Sequence, residues 1–471
     1  MEQTDLHCDV AIIGAGTAGL AAERAARTAG ASTLLIDDRF AGTTCANVGC
    51  MPSKLLIAAA HAAHAVRTAS VFGIIAPEPV VDGVAVMARL RLERDRFVDA
   101  TLSSIEQIPA DIRQRARAHF IDATTLALDD DRKVFAKAVI IATGSSPTVP
   151  PMFKVLGDRI LTNETIFELR DLPKSVAVIG AGPLGLELAQ ALARLGVDTA
   201  VFDHADGIAG LKDTEVQAEL RAILENELPL HIGVELEVQA VVDGARLSWT
   251  GSTKGAQTFE RVLVATGRPP QLKDLNLHNT GLALDKKGVP LFDPATLQCG
   301  AAPIFLIGDA NADRPVLHEA SSQGAIAGQN AAGFPNVEPI DRGGPFSIMF
   351  TDPPLAVIGE PAGAGAVIGS ASYADQGRAK VEARNKGLVR IYAAPTDGRL
   401  TGATLLGPGM EHIGHLLAWA IERGETASGL LDLPFYHPTF EEGLKSALRD
   451  ICKKVHSPLP RRRDEGVAAG G

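Results

Sequence analysis

Cys45 and Cys50 stand with four residues between them in the run GTTCANVGCMPSK, residues 42–54. Two cysteines this close, in a chain of cytosolic character, point to electron transfer rather than to a structural cross-link. On a regular helix residues five apart point in divergent directions, whereas a disulfide needs Cα atoms within roughly 7 Å. The chain is therefore expected to bend between them. Asn47 and Gly49 tolerate such a turn, and Pro52 suits the first turn of a following helix. A thiol near a helix N-terminus meets the positive end of the helix dipole, which favours thiolate, the reactive form. Lys54, one turn on, would add a cation to the same side of the balance.

A second constellation lies near the C-terminus, in FYHPTFEEGL, residues 435–444. A histidine held by a carboxylate, here His437 with Glu442 five residues on, suits a general base that deprotonates a thiol near neutral pH. The carboxylate fixes the tautomer and stabilises the imidazolium. Spacing alone does not bring this pair to the cysteines. His61 and His64, and His412 and His415, are pairs three apart on helical stretches, and two ligands are too few for a metal. No metal site is expected.

The elements that must carry these groups are legible as a repeat. The apolar run at 8–13 enters GAGTAG at 14–19, an alanine-rich helical stretch follows to about residue 29, and a strand TLLID ends at Asp37. That is a strand, a tight glycine turn, a helix and a strand with a terminal acid: a dinucleotide-binding unit in its full context. Gly14 allows the turn, Gly16 lets backbone approach a pyrophosphate, Gly19 lets helix pack on strand, and Asp37 can accept from ribose hydroxyls. The unit recurs as SVAVI, GAGPLG (Gly180, Gly182, Gly185) and a strand DTAVFD ending at Asp203. VIIATG (139–144) and VLVATG (262–267) echo each other, and IFLIGD ends in Asp309. The second unit thus interrupts the first, which resumes near residue 271. Residues 82–108 have helical periodicity with alternating charge, expected as a solvated helix, and from about residue 345 an α+β domain follows.

Composition sets the outer bounds. A length of 471 residues suggests three domains, and a net charge of −11 argues against nucleic acid and anionic membrane as partners. No secretory signal and no stretch of membrane-spanning length is expected, which with five cysteines and one close pair suggests a reducing, cytoplasmic location.

The motifs GAGTAG, CANVGCMPSK, ATGSS, GAGPLGLELA, ATGRPP, LIGDA, FTDPP and HPTFEE occur in an order that resembles the pyridine nucleotide-disulfide oxidoreductase family of flavoproteins, within it most closely the dihydrolipoamide dehydrogenases. The resemblance runs nearly the full length. It implies two Rossmann-like α/β domains and an α+β interface domain: FAD-binding over 1–148 and 271–343, NAD-binding over 149–270, dimerisation over 344–458, and a flexible tail over 459–471. By the same resemblance Gly14, Gly16, Gly19, Asp37, Thr44, Lys54, Thr143, Gly144, Ser145, Asp309, Val316, Leu317 and His318 would hold FAD, with Lys54 near the flavin N5 and paired to Glu187. Gly180, Gly182, Gly185, Glu187, Asp203 and Gly267 would serve NAD. Cys50 would contact the flavin, Cys45 would exchange with substrate, and His437 with Glu442 would act on Cys45 of the other subunit of a homodimer. The implied activity is oxidation of protein-bound dihydrolipoyl groups, on a lipoyl-bearing carrier or a 2-oxoacid dehydrogenase complex, with NAD as acceptor.

The residues also weigh the cofactor. A 2′-phosphate calls for arginines after the second strand of the unit, and the chain has Asp203-His204-Ala205-Asp206, so NAD is expected over NADP. That counts against a glutathione reductase. Mercuric reductases use a further vicinal cysteine pair at the C-terminus, and only Cys452 occurs there; soluble transhydrogenases lack the redox cysteines. Two departures touch the substrate: Thr43 replaces a usual glycine before Thr44-Cys45, and the bulky Phe435-Tyr436 precedes His437.

Overall fold

The computed structural model describes residues 4–459 apart from 362 and 364, so the expected tail lies outside the described residues except for its first. β1 (Leu6–Ile13) buries its last four residues, turns through GAGTAG and enters α1 (Thr17–Thr28), which returns to β2 (Thr33–Ile36). A short helix and a long one follow. α2 (Thr44–Val48) and α3 (Cys50–Thr68) carry one cysteine each. The helix expected over 82–108 is α4 (Gly83–Glu106), capped by Asp82, whose Oδ1 accepts from Ala85 N at 2.9 Å. It is not wholly solvated: Met87, Leu90, Arg94 and Ile105 turn inward.

β3 (Arg113–Gln114), β4 (Ala118–Phe120), β5 (Thr125–Leu128) and β6 (Lys133–Ile141) complete the first sheet, in the order β3-β2-β1-β6-β5-β4. β1 and β6 pair in parallel from Leu6↔Val134 to Ile13↔Ile141, while β5 joins β6 antiparallel. The second unit is another parallel sheet built from β7 (Ile160–Leu161), β8 (Ser175–Ile179), β9 (Asp198–Asp203), β10 (Leu230–Ile232) and β14 (Arg261–Val264). α5 (Pro183–Arg194) follows β8, and α6 (Thr214–Glu225) leads to β10. A three-stranded antiparallel sheet, β11 (Val234–Val241), β12 (Gly244–Gly251) and β13 (Gly255–Phe259), covers one side of this unit through Phe202, Trp249 and Phe259. The chain then rejoins the first sheet, where β15 (Ile304–Leu306) pairs with Val139–Ile141 of β6, and α7 (Leu317–Gly333) packs on α1.

The last body is an antiparallel sheet in the order β16-β17-β20-β19-β18, from β16 (Phe346–Met349), β17 (Leu355–Gly359), β18 (Val367–Ser372), β19 (Leu388–Ala393) and β20 (Leu400–Leu406). α8 (Gly377–Val381) lies between β18 and β19; after β20 come α9 (Met410–Glu422), α10 (Ala427–Leu431) and α11 (Gly443–Lys454). α9 and α11 pack on the sheet around a core that includes Tyr373, Ile391, Leu405, Leu448 and Cys452. The architecture is α/β, two parallel-sheet units plus an antiparallel third.

One expectation is corrected. The stretch Thr44–Phe72, which merges α2, α3 and a 3-10 turn, is long and apolar enough to cross a membrane by length and composition. It escapes a search for unbroken apolar residues because Lys54, two histidines and Arg67 interrupt an otherwise alanine-rich run. In the fold Lys54 is paired and α3 packs on α4 and α5.

Polar groups join the bodies. α5 presents Glu187, Gln190 and Arg194, spaced by three and four residues on one face, to the FTDPP segment. Gln190 Oε1 accepts from Asp352 N at 2.8 Å, and Gln190 Nε2 donates to Asp352 O at 2.9 Å. Arg194 reaches Asp352 Oδ2 at 2.8 Å and Glu227 Oε2 at 2.6 Å. A second lock sits at the start of α6. Asp213 Oδ1 accepts from Glu215 N and Val216 N, each at 3.1 Å, while Oδ2 takes Arg390 Nε at 2.9 Å and the Tyr392 hydroxyl at 2.8 Å from β19. With its side chain 6% exposed, Asp213 is both a helix cap and one half of a buried ion pair. Asp213→Ala is expected to cost about 2–4 kcal/mol, because it removes the cap and two buried bonds and leaves Arg390 with only Glu215 and the Ser370 hydroxyl. Denaturant unfolding monitored by far-ultraviolet circular dichroism measures this; a loss under about 1 kcal/mol would mean the pair is solvated.

Candidate active site

The bend between the cysteines falls at Gly49, with φ −125° and ψ −114°. A Cβ there would lie 2.9 Å from Thr44 O and 3.2 Å from Cys45 Cα, so only glycine lets α2 fold back on the start of α3. Asn47, the other expected turn residue, is helical instead, and its Nδ2 donates to Ala41 O at 2.8 Å and Thr43 O at 3.1 Å. Thr43, one of the two departures, caps α2 by accepting from Ala46 N at 3.4 Å, a bond a glycine could not make.

Both cysteines stand as thiols, in hydrogen-bond contact with each other. Their acidities diverge. The bond from Cys45 brings Cys50 down to about 7 against the opposing effect of burial, with Lys54 adding to the lowering. Cys45 is pushed far up by the same bond and by burial. Cys50 is thus the sulfur that ionises more readily near neutral pH, with Cys45 holding its proton. Lys54 Nζ meets Glu187 Oε2 at 2.7 Å and lies 4.5 Å over the Phe350 ring; Glu187 Oε1 accepts from Phe350 N at 2.7 Å.

The two glycine turns follow one steric rule. A Cβ on Gly14 would meet Ala142 O at 2.4 Å and one on Gly19 would meet Gly14 O at 1.8 Å, whereas one on Gly16 would meet nothing within 4 Å. Gly180, Gly185 and Gly182 repeat this, with Ala265 O at 2.5 Å, Gly180 O at 2.0 Å and open space. The outer glycines are required by the protein's own packing. The middle ones leave room at a helix N-terminus whose cap residue makes no side-chain bond, as a dinucleotide pyrophosphate needs. The buried Thr143 hydroxyl has no partner, Gly144 takes φ +70°, and the Ser145 hydroxyl donates to Asp309 Oδ2 at 2.7 Å. These features fit a flavin dinucleotide at the first turn.

Asp37 and Asp203 are more engaged than expected. Each accepts from its own glycine turn, Ala15 N at 2.9 Å and Ala181 N at 2.7 Å. Their other oxygens accept from Phe40 N at 2.7 Å and Ala205 N at 2.9 Å. A carboxylate oxygen accepts more than one bond, so both can still meet a ribose. A cleft of about 790 Å³ is lined by Gly180, Gly182, Phe202, Asp203, His204, Gly267, Arg268, Ser145 and Asp309, among others. Val316 caps α7, with Leu317 and His318 exposed beside it.

His437 Nδ1 and Glu442 Oε2 are 2.8 Å apart, the histidine 55% exposed and the glutamate 4%. Burial raises Glu442, but the bonds from His437 and Lys445 outweigh it and hold its pKa below the usual value. The His437 ring is hydrogen-bonded to Glu442, not to either cysteine of its own chain. Among the described residues no group of three or more His, Cys, Asp or Glu converges as a metal site.

The pyridine nucleotide-disulphide oxidoreductase profile matches residues 8–325, and its dimerisation domain matches residues 346–448. The chain belongs to this family. It is a flavoprotein disulfide oxidoreductase, with the family's FAD and NAD(P) chemistry. Among relatives, it is 29% identical to the dihydrolipoyl dehydrogenase of Haloferax volcanii, over 96% of this chain and 98% of that one. It is equally 29% identical to a dihydrolipoyl dehydrogenase of Bacillus subtilis, over 93% and 97%, and to the mercuric reductase of Acidithiobacillus ferrooxidans, over 96% and 83%. In fold it is similar to the HOCl-induced flavoprotein disulfide reductase RclA from Escherichia coli, with TM-score 0.79 and 20% identity over 94% and 99% of the two chains. LpdA from Mycobacterium tuberculosis gives TM-score 0.79 at 24% identity over the same shares.

Sequence reasoning named the chemical groups of this oxidoreductase but not what holds them. Asn163, Arg268, Gln190, Arg194 and Asp352 were given no role; only the ATGRPP and FTDPP motifs hinted at two of them. Gly16→Ala should leave the fold intact and lower flavin content in the purified protein, whereas Gly19→Ala should fail to fold. Flavin absorbance and thermal melting read both; equal behaviour of the two would refute the steric rule. Alkylation of the reduced enzyme should modify Cys50 with a midpoint near pH 7, since a lowered pKa gives thiolate above that pH, and Cys45 only at much higher pH. Mass mapping of the modified peptide distinguishes them.

Proposed function

We propose that this chain oxidises protein-bound dihydrolipoyl groups to lipoyl groups, with NAD as acceptor, as a homodimer. The observation that carries the reading is the placement of Cys45 and Cys50 on either side of the Gly49 bend, beside the Lys54–Glu187 pair. The near-full-length likeness to dihydrolipoyl dehydrogenases supports the substrate class.

In the oxidising direction the cycle starts from the Cys45–Cys50 disulfide. His437 of one subunit, held through Nδ1 by Glu442, takes a proton on Nε2 from a substrate thiol. The resulting thiolate attacks Cys45 Sγ, the S–S bond breaks, and Cys50 leaves as thiolate, stabilised as its lowered acidity indicates. The second substrate thiol then attacks the mixed disulfide and closes the lipoyl ring; Cys45 leaves and takes up the proton that thiol gives up, while the first proton stays on His437. Two electrons now reside on the dithiol. FAD, when bound, supplies the two-electron link from dithiol to nicotinamide. Lys54, fixed by Glu187, stabilises the anionic charge that accumulates beside it.

NAD is preferred because Asp203 places a carboxylate, and no arginine, where a 2′-phosphate would lie. A second reading, reduction of another disulfide by NADH, rests on Tyr436, which is 84% exposed next to His437 and would crowd a narrow substrate entrance.

His437→Gln should lower dihydrolipoamide turnover by about a hundredfold or more while NADH-to-dye turnover changes little. Equal loss of both activities sinks the base role. Assays of dihydrolipoamide with NAD, beside glutathione disulfide with NADH or NADPH, separate the two readings: faster turnover of glutathione disulfide would reverse the choice.

A further inference from the structure

The backbone that carries the cysteine pair is gripped by two side chains from elsewhere in the fold. α2 ends at Val48, and because the chain breaks at Gly49 its last carbonyls have no helical partner further along. Asn163 Nδ2 donates to Val48 O at 2.9 Å, and Arg94 Nη1 reaches Asn47 O at 3.4 Å. Asn163 is 4% exposed, so its amide depends on protein partners, and its second half is also used. Arg268 Nη1 donates to Asn163 Oδ1 at 2.8 Å, which fixes the amide so that its NH2 group faces Val48. Arg268 is itself fixed: Nη2 donates to Ser145 O at 2.7 Å and Nε to Ser145 Oγ at 3.3 Å, and Ser145 Oγ donates to Asp309 Oδ2 at 2.7 Å. An unbroken chain of hydrogen bonds therefore runs from Asp309 through two further loops to the peptide between the cysteines.

We propose that Asn163, oriented by Arg268, is a positioning residue for the cysteine pair: by pinning the Val48 carbonyl it sets the approach of Cys45 Sγ to Cys50 Sγ. The geometry leaves few alternatives for that task. Gly49 has no side chain, its carbonyl is tied only forward, to Ser53 N of α3 at 3.2 Å, and the Arg94 bond to Asn47 is long. Arg94 is moreover committed to Glu168 at 2.5 Å and Asp95 at 2.6 Å. Without the Val48 bond, α2 can swing about Gly49, and the thiol–thiol bond that divides the two acidities weakens. The groups that act on Cys50 directly are Cys45 on α2, Lys54 on α3 and Glu187 on α5, and none of them touches Asn163. A change in Cys50 on substitution of Asn163 would thus be transmitted through the backbone.

The test reads the thiol itself and does not depend on which substrate the enzyme uses. Reduced, flavin-loaded enzyme is alkylated with iodoacetamide across pH, and Cys50 is followed by peptide mass. Asn163→Leu, close in volume but able to make neither bond, should shift the midpoint upward, so that alkylation at pH 7 slows about threefold. If the leucine variant does not fold, Asn163→Ala, which removes the amide without adding bulk, is read in the same way. A wild-type alkylation profile in a folded variant overturns the proposal. So does a lowered thermal midpoint with the profile unmoved, since that outcome marks Asn163 as merely structural.

Discussion

Glu187 is the point on which the three bodies of this molecule converge. Its carboxylate is nearly buried on α5 of the second parallel-sheet unit. One oxygen takes the Lys54 ammonium from the cysteine-bearing helix, and the other takes the Phe350 amide from the loop that leaves β16. A buried charge of this kind is tolerable only when both oxygens are satisfied, and here each is satisfied by a different domain. Loss of the Lys54 contact would leave the charge without compensation, and loss of the Phe350 amide would leave one of its oxygens unsatisfied. The ion pair therefore specifies domain placement as much as it tunes the thiol beside it, and the stack of Lys54 on Phe350 closes the same junction from the apolar side.

The two glycine turns show how far one steric solution can be reused. In both, the outer glycines admit backbone oxygens at distances that no Cβ would survive, and the middle one faces open space. In both, the terminal aspartate of the second strand holds the turn by its backbone amide before it meets any ligand. The units differ in what surrounds them. The first is extended by β4 and β5 and by the returning β15, the second by the antiparallel β11–β13 sheet.

Much of this was legible in the chain. Strand-turn-helix-strand units announce themselves because glycine positions, apolar runs and terminal acids fall at fixed offsets, and the cysteine and histidine motifs name their own chemistry. The α/β class, the repeat and the change of pattern near residue 345 follow from that. What escaped was of two kinds. Short antiparallel strands such as β4, at three residues, carry too little periodicity to be distinguished from loop. Contacts between segments far apart in sequence, such as Asn163 with Val48 or Arg194 with Asp352, leave no local pattern at all. The bend at Gly49 was foreseen as a need of the cysteines, but its partner Asn47 turned out to brace α2 rather than to turn it. The potential membrane-spanning stretch was missed because charge interrupts it, although the fold pairs that charge.

The Asp213 cluster has a bearing on motion. An arginine and a tyrosine from β19 meet the cap of α6 in a buried site, so the second parallel-sheet unit and the antiparallel body are fastened at a point separate from Glu187. Two fixed points between the same bodies leave at most a rotation about the line joining them. A wide swing between these two bodies is thereby disfavoured, and motion at their junction falls to single side chains and loops. The spacing of those two bodies is then the property of a frame, set once on folding and not renewed at each turnover.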